Sequence, residues 1–204
     1  MNILFAGTPE PSAKLLQSLS NNKYINIIGV ITKPDVAQKR GNKIKQSHVS
    51  LAASEANLPL FKPDNLNSAK FRETLLKLDF DFLIVAAYGK ILPSWMLASP
   101  KVMPINVHYS LLPKYRGASP IQSCLLNGDK KTGITFIKMN NKLDEGDCIE
   151  KYEMHVRDDH NKVTLEEDLC NLAAENLFTV LSNIIQNNFS LLKLSPTKPN
   201  LFSE

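Results

Sequence analysis

Short apolar runs rich in valine and isoleucine alternate along this chain with longer segments of helical period. That alternation predicts an α/β fold, Rossmann-like in outline, with a largely parallel central sheet flanked by helices. The predicted strands are Asn2–Ala6, Ile25–Thr32, Asp81–Ala87, Ile105–His108, Ile134–Met139 and Cys148–His155. The predicted helices are Pro9–Ser20, Val49–Ala56, Ser68–Leu78, Ser119–Leu126 and a long one over Thr164–Gln186. Thr164 and Glu167 match a capping box at the start of that last helix. Its Leu169, Leu172, Ala173, Leu177, Val180, Leu181 and Ile184 recur as a core-facing stripe.

With 204 residues the chain is long enough for one sizeable domain and a small appendage. Residues 1–190 read as that domain, and 191–204 as a linker or tail, because Pro196 and Pro199 break any regular element. Met1–Gly7 has no basic region, and its apolar run is too short for a secretory signal. No segment approaches the roughly 20 apolar residues of a membrane span. Cys124, Cys148 and Cys170 are odd in number and far apart, which fits neither a disulfide framework nor a zinc site. The expectation is a monomeric cytoplasmic protein with reduced thiols, no metal and no membrane partner. A net charge of +4 permits an anionic partner without demanding one.

Chemistry concentrates in a few places. Gly7-Thr8-Pro9-Glu10 follows the first strand, where a phosphate-binding glycine loop would sit, but Pro9 removes a donor and Glu10 repels phosphate. The segment reads as a tight strand-to-helix corner, not a nucleotide site. In Ile105-Asn106-Val107-His108, strand alternation turns Asn106 and His108 to one face and Ile105 and Val107 into packing. An amide donor beside an imidazole suits a reaction in which a carbonyl gains negative charge while an amine loses a proton. The pair by itself also reads as a core histidine satisfied by its neighbouring amide.

Leu143-Asp144-Glu145-Gly146-Asp147 brings three carboxylates beside a glycine. The loop is too short and wrongly spaced to cage calcium. The alternative is that one carboxylate leans over His108 and fixes its tautomer. Between Lys33 and Lys45, Lys33, Lys39, Arg40, Lys43 and Lys45 face a single acid, Asp35. This is either a solvated loop or an electrostatic grip on phosphates. Lys114, Tyr115 and Arg116 form a smaller cluster of the same kind, and the planar fork of Arg116 suits phosphate or carboxylate.

Together these segments resemble the methionyl-tRNA formyltransferase family, a branch of the folate-dependent formyltransferases. The resemblance runs from Met1 to about Asn188. It is carried by Phe5-Ala6-Gly7-Thr8-Pro9-Glu10, the basic loop from Lys33-Pro34-Asp35 through Arg40-Gly41 to Ser47, and Ala87-Tyr88-Gly89-Lys90-Ile91-Leu92-Pro93. Asn106–His108 with Ser110–Ala118, and Leu143–Asp147, complete it. The resemblance implies transfer of the formyl group of 10-formyltetrahydrofolate to the amine of methionyl initiator tRNA. By motif, Asn106, His108 and Asp144 are the implied catalytic trio, and Ser110, Leu111, Leu112 and Pro113 the folate-contacting turn. Val85, Ala87, Tyr88 and Gly89, with Leu143–Gly146, are implied to line the pterin pocket. Arg40, Lys43, Lys45, Lys114 and Arg116 are implied tRNA contacts.

Two departures from the family pattern stand out. Lys39-Arg40-Gly41-Asn42-Lys43 replaces the family's frequent Gly-Arg-Gly-Lys-Lys, and the carboxy-terminal tRNA-holding β-barrel domain is absent from this sequence. The alternative acceptor is a sugar-nucleotide or other small amine, for which the Lys33–Lys45 loop would be unnecessary.

Overall fold

The computed structural model describes residues 1–37 and 44–195. The chain divides into two compact units, Met1–Pro104 and Ile105–Glu204. Arg40 and Lys43 lie outside the described residues.

The first unit is built on parallel strands β1 (Asn2–Gly7), β2 (Asn26–Ile31), β5 (Leu60–Phe61) and β6 (Phe82–Ala86), in the order β5-β2-β1-β6. Ile3, Leu4, Phe5 and Ala6 are each 0% exposed, which is why β1 reads as an unbroken apolar run. Helix α1 (Glu10–Ser20) packs on β1 and β2 and against α2 (His48–Glu55). The corner between β1 and α1 is as tight as the sequence predicts. A Cβ on Gly7 would meet Ser12 Cβ at 2.8 Å and the Ala86 carbonyl oxygen at 3.0 Å.

Ser47 caps α2 by accepting from the Ser50 amide at 2.9 Å, and the Thr32 hydroxyl meets the same Ser47 Oγ at 2.7 Å. Strands β3 (Val36–Ala37) and β4 (Ile44–Lys45) form a short antiparallel pair at the base of the basic loop. Helices α3 (Ala69–Leu76) and α4 (Ser94–Leu97) complete the unit. β3, β4, β5 and α4 carry too few residues to announce a period, so the sequence reading passes over them.

The second unit begins within β7 (Met103–His108) and continues through α5 (Pro120–Leu126), β8 (Lys131–Lys138), β9 (Asp147–His155) and α6 (Lys162–Ile185). β8 runs antiparallel to both β7 and β9. The largely parallel sheet is therefore found in the first unit, and the second returns by antiparallel pairing. The loop between β8 and β9 is too short for a crossover helix. α6 packs on β8, β9 and α5, and Leu165, Leu169, Ala173, Leu177, Val180, Leu181 and Ile184 are buried on it.

The cap of α6 differs from the predicted one. Asn161, not Thr164, is the N-cap; its side chain accepts from the amides of Val163 and Thr164, and the Thr164 hydroxyl answers by accepting from the Asn161 amide at 3.0 Å. Thr164 with Glu167 gave the right motif one turn late, because Thr serves at N3 as well as at the cap. The start of the predicted tail also packs on the unit. Cys148 and Leu192 exchange two backbone hydrogen bonds, at 2.8 and 2.9 Å. Cys124, Cys148 and Cys170 are free and buried, and burial pushes the Cys124 and Cys148 thiols up. Among the described residues no helix is long and apolar enough to cross a membrane.

Candidate active site

The structure brings Asn106, His108 and Asp144 together within the second unit. Ile105 and Val107 are buried in the β7 packing, while Asn106 and His108 both reach Asp144, as the strand alternation requires. Asn106 Nδ2 donates to Asp144 Oδ1 at 3.2 Å. His108 Nδ1 lies 3.5 Å from Asp144 Oδ2, with both side chains 6% exposed. The Gly117 amide donates to the same Oδ2 at 2.8 Å.

His108 Nε2 lies 2.9 Å from the Tyr115 carbonyl oxygen. A carbonyl only accepts, so Nε2 carries a proton. The approach of Nδ1 to Asp144 is attractive only if a further proton lies on one of the two groups.

Asp144 stands at φ 49°. For a residue other than glycine this left-handed conformation costs about 1 kcal/mol, although Asp tolerates it better than most. Neighbouring contacts hold it there. Arg116 Nε donates to the Asp144 carbonyl at 3.0 Å, and Arg116 Nη2 donates to the Ser195 carbonyl at 3.2 Å. The sequence reading placed Arg116 on an external phosphate; the structure instead shows its guanidinium bonded to the chain's own backbone.

Gly146 closes the same hairpin, and a Cβ there would stand 1.9 Å from the Lys138 carbonyl oxygen. Gly146→Ala is expected to lower stability by on the order of 2 kcal/mol, measured as a fall in denaturant midpoint at constant slope. The three carboxylates of this loop diverge. Asp144 turns inward, Glu145 pairs with Lys142 at 3.4 Å, and Asp147 belongs to β9. Among the described residues no three His, Cys, Asp or Glu side chains gather as metal ligands would.

The turn after β7 is fixed from β8 and β9. The Thr135 hydroxyl donates to the Ser110 carbonyl at 2.6 Å and accepts from the Leu112 amide at 3.0 Å. Lys151 Nζ donates to the Leu112 carbonyl, and Ser110 Oγ donates to the Lys114 carbonyl at 2.6 Å. The Leu112–Pro113 peptide is cis. Neither Thr135 nor Lys151 was a sequence candidate, since their contacts run to backbone atoms far away in the chain.

In the first unit, Val85 and Tyr88 are buried, Ala87 stands at φ 45° and Gly89 at φ 73°. Thr8 Oγ1 donates to the Tyr88 carbonyl at 2.9 Å. The Tyr88 hydroxyl is buried, and burial pushes it up to about 12. Lys45 and Lys114 are exposed, and Lys114 Nζ lies 3.4 Å from Asp129.

The sequence is 43% identical over 191 residues to a methionyl-tRNA formyltransferase of Buchnera aphidicola subsp. Baizongia pistaciae, covering 94% of this chain and 59% of that protein. This chain thus spans about three fifths of the length of the curated relatives it matches. A phosphoribosylglycinamide formyltransferase from Bacillus halodurans superposes with a TM-score of 0.75 at 15% identity, over 92% of this chain and 97% of that one. An N-formyltransferase from Helicobacter canadensis, solved with folinic acid and dTDP-3-aminofucose, gives 0.70 at 18% identity, over 99% and 69%. At such identities the structures establish a shared α/β fold. Residues 1–181 match the formyl transferase family, and over that span, which holds the whole Asn106, His108 and Asp144 cluster, the chain belongs to it.

Proposed function

We propose that this chain transfers the formyl group of 10-formyltetrahydrofolate to the α-amino group of methionine carried on initiator tRNA. The observation that carries the reading is the gathering of Asn106 and His108 around the Asp144 carboxylate. Family membership supports the formyl chemistry, and the names of the curated relatives support the acceptor.

The geometry divides the work. One amide proton of Asn106 is committed to Asp144, and the other is free to donate to a formyl oxygen gaining negative charge. An oxyanion donor of this kind is worth about 10²–10³ in rate. The His108–Asp144 pair takes a proton from the attacking amine and releases one to the departing folate nitrogen, so its proton count is restored after each turnover. General acid–base work contributes about 10²–10⁴. The Ser110–Pro113 turn contacts the folate, largely through backbone groups.

Residues 1–190 form the catalytic domain, acting in the cytoplasm as a monomer. Arg40, Lys43, Lys45 and Lys114 approach the phosphates of the tRNA, whereas Arg116 supports Asp144.

The test is a formylation assay with labelled formyl-folate and methionyl initiator tRNA, run beside a sugar-nucleotide amine. Label is expected on the methionyl-tRNA. Label on the sugar amine alone, or released only as formate, would overturn the reading. Arg40→Glu is expected to raise the KM for the tRNA at least tenfold at low salt, the difference from the parent narrowing as salt rises, while kcat changes little.

A further inference from the structure

Tyr115, Arg116 and Gly117 are consecutive, and each holds one member of the His108–Asp144 pair: Tyr115 O takes the imidazole proton, Arg116 Nε holds the Asp144 carbonyl, and Gly117 N holds the carboxylate. Such a segment must be fixed in space, yet its own backbone is strained. Tyr115 lies at φ 59°, and a tyrosine at positive φ persists only where its surroundings over-determine it, whereas Gly117 takes φ 99° without cost.

The surroundings that do so lie at the end of α5. The Tyr115 hydroxyl donates to Asp129 Oδ2 at 2.8 Å and accepts from Asn127 Nδ2 at 3.0 Å. Burial, and then the Asp129 carboxylate, hold the phenol above its ordinary value, so it keeps the proton it donates. Asp129 is itself placed by its own amide, which donates to the Cys124 carbonyl of α5 at 3.2 Å. Its side chain is 19% exposed and carries Lys114 on the same oxygen.

We propose that Asp129 is a positioning residue for the catalytic pair: by holding the Tyr115 phenol it keeps the Tyr115 carbonyl against His108 Nε2, and so keeps Nδ1 turned to Asp144. This rests on the roles given above to His108 and Asp144. Asp129 touches neither of them, and the charge-assisted phenol bond is the route by which it acts. A sequence reading finds no such role, because Gly128-Asp129 after a short helix looks like an ordinary helix-ending turn.

The experiment has two independent readouts on the full chain. In ¹⁵N-labelled protein, imidazole NMR of the parent is expected to show His108 protonated at Nε2 with slow exchange of that proton. Asp129→Ala and Tyr115→Phe should each speed the exchange at least tenfold. Asp129→Asn, which keeps an acceptor oxygen, should restore most of the protection and stands in if the alanine variant does not fold. In formyl transfer, Asp129→Ala and Tyr115→Phe should each lower kcat about tenfold with acceptor KM within twofold. The double variant should fall no further than the worse single one, because both act on one bond. Unchanged exchange in Asp129→Ala would overturn the proposal whatever the activity, and so would multiplicative losses in the double variant. If the NMR result holds while the parent transfers no formyl group, the positioning stands and the catalytic reading fails.

Discussion

Replacing His108 by alanine is expected to lower kcat by about 10²–10⁴ while the protein remains folded. The imidazole is 6% exposed and joins two parts of the site: it fills the Tyr115 carbonyl on one side and faces Asp144 on the other. Without it the carboxylate loses its imidazole neighbour, and a part-buried carbonyl loses its donor. The structural cost of the orphaned carbonyl is about 1–3 kcal/mol, which a domain of ordinary stability absorbs. Circular dichroism and a thermal melt taken with the kinetics separate the two effects. A variant within a few-fold of the parent in kcat, still folded, would remove His108 from the chemistry.

Asp144→Asn is the second large effect, and it isolates charge from shape. Asparagine tolerates the left-handed backbone that Asp144 adopts at φ 49°, and its carbonyl oxygen still accepts from the Gly117 amide. It cannot exchange a proton with His108. With that oxygen on Gly117, its amide group takes the place of Oδ1 and faces the Asn106 donor, a clash of like groups. The expected fall in kcat is about 10²–10⁴, with folate binding changed far less, measured by single-turnover formyl transfer beside fluorescence titration with folinic acid. Equal losses in affinity and turnover would mean that residue 144 holds the ligand but does not take part in the proton transfer.

How much of this was legible in the sequence depends on whether a contact repeats. The buried runs of β1 and β6 and the stripe on α6 recur at fixed spacing, so their existence and type were readable. The Asn106 and His108 alternation on β7 fixed a shared face before any coordinates. Proximity of Asp144 to His108 was an expectation from family resemblance that the geometry of the second unit now supplies at 3.5 Å. The antiparallel return of β8 and β9 leaves no mark on periodicity and is legible only in their connection, which is too short for a crossover helix. The backbone bonds of Arg116 leave no mark in the sequence, because the carbonyls it meets lie far away in the chain. The bonds made by the Tyr115 carbonyl, the Gly117 amide, Thr135 and Lys151 leave no mark in the sequence because each involves a peptide group.

The hold that residues 115–117 keep on the imidazole and the carboxyl is made in two of its three places by main-chain atoms. Side-chain truncation therefore reaches the Arg116 bond and the Tyr115 phenol but leaves the two main-chain bonds untouched. Exchanging single amides for esters, one at position 117 and one that weakens the carbonyl of position 115, is the chemistry that would expose what ordinary mutagenesis conceals.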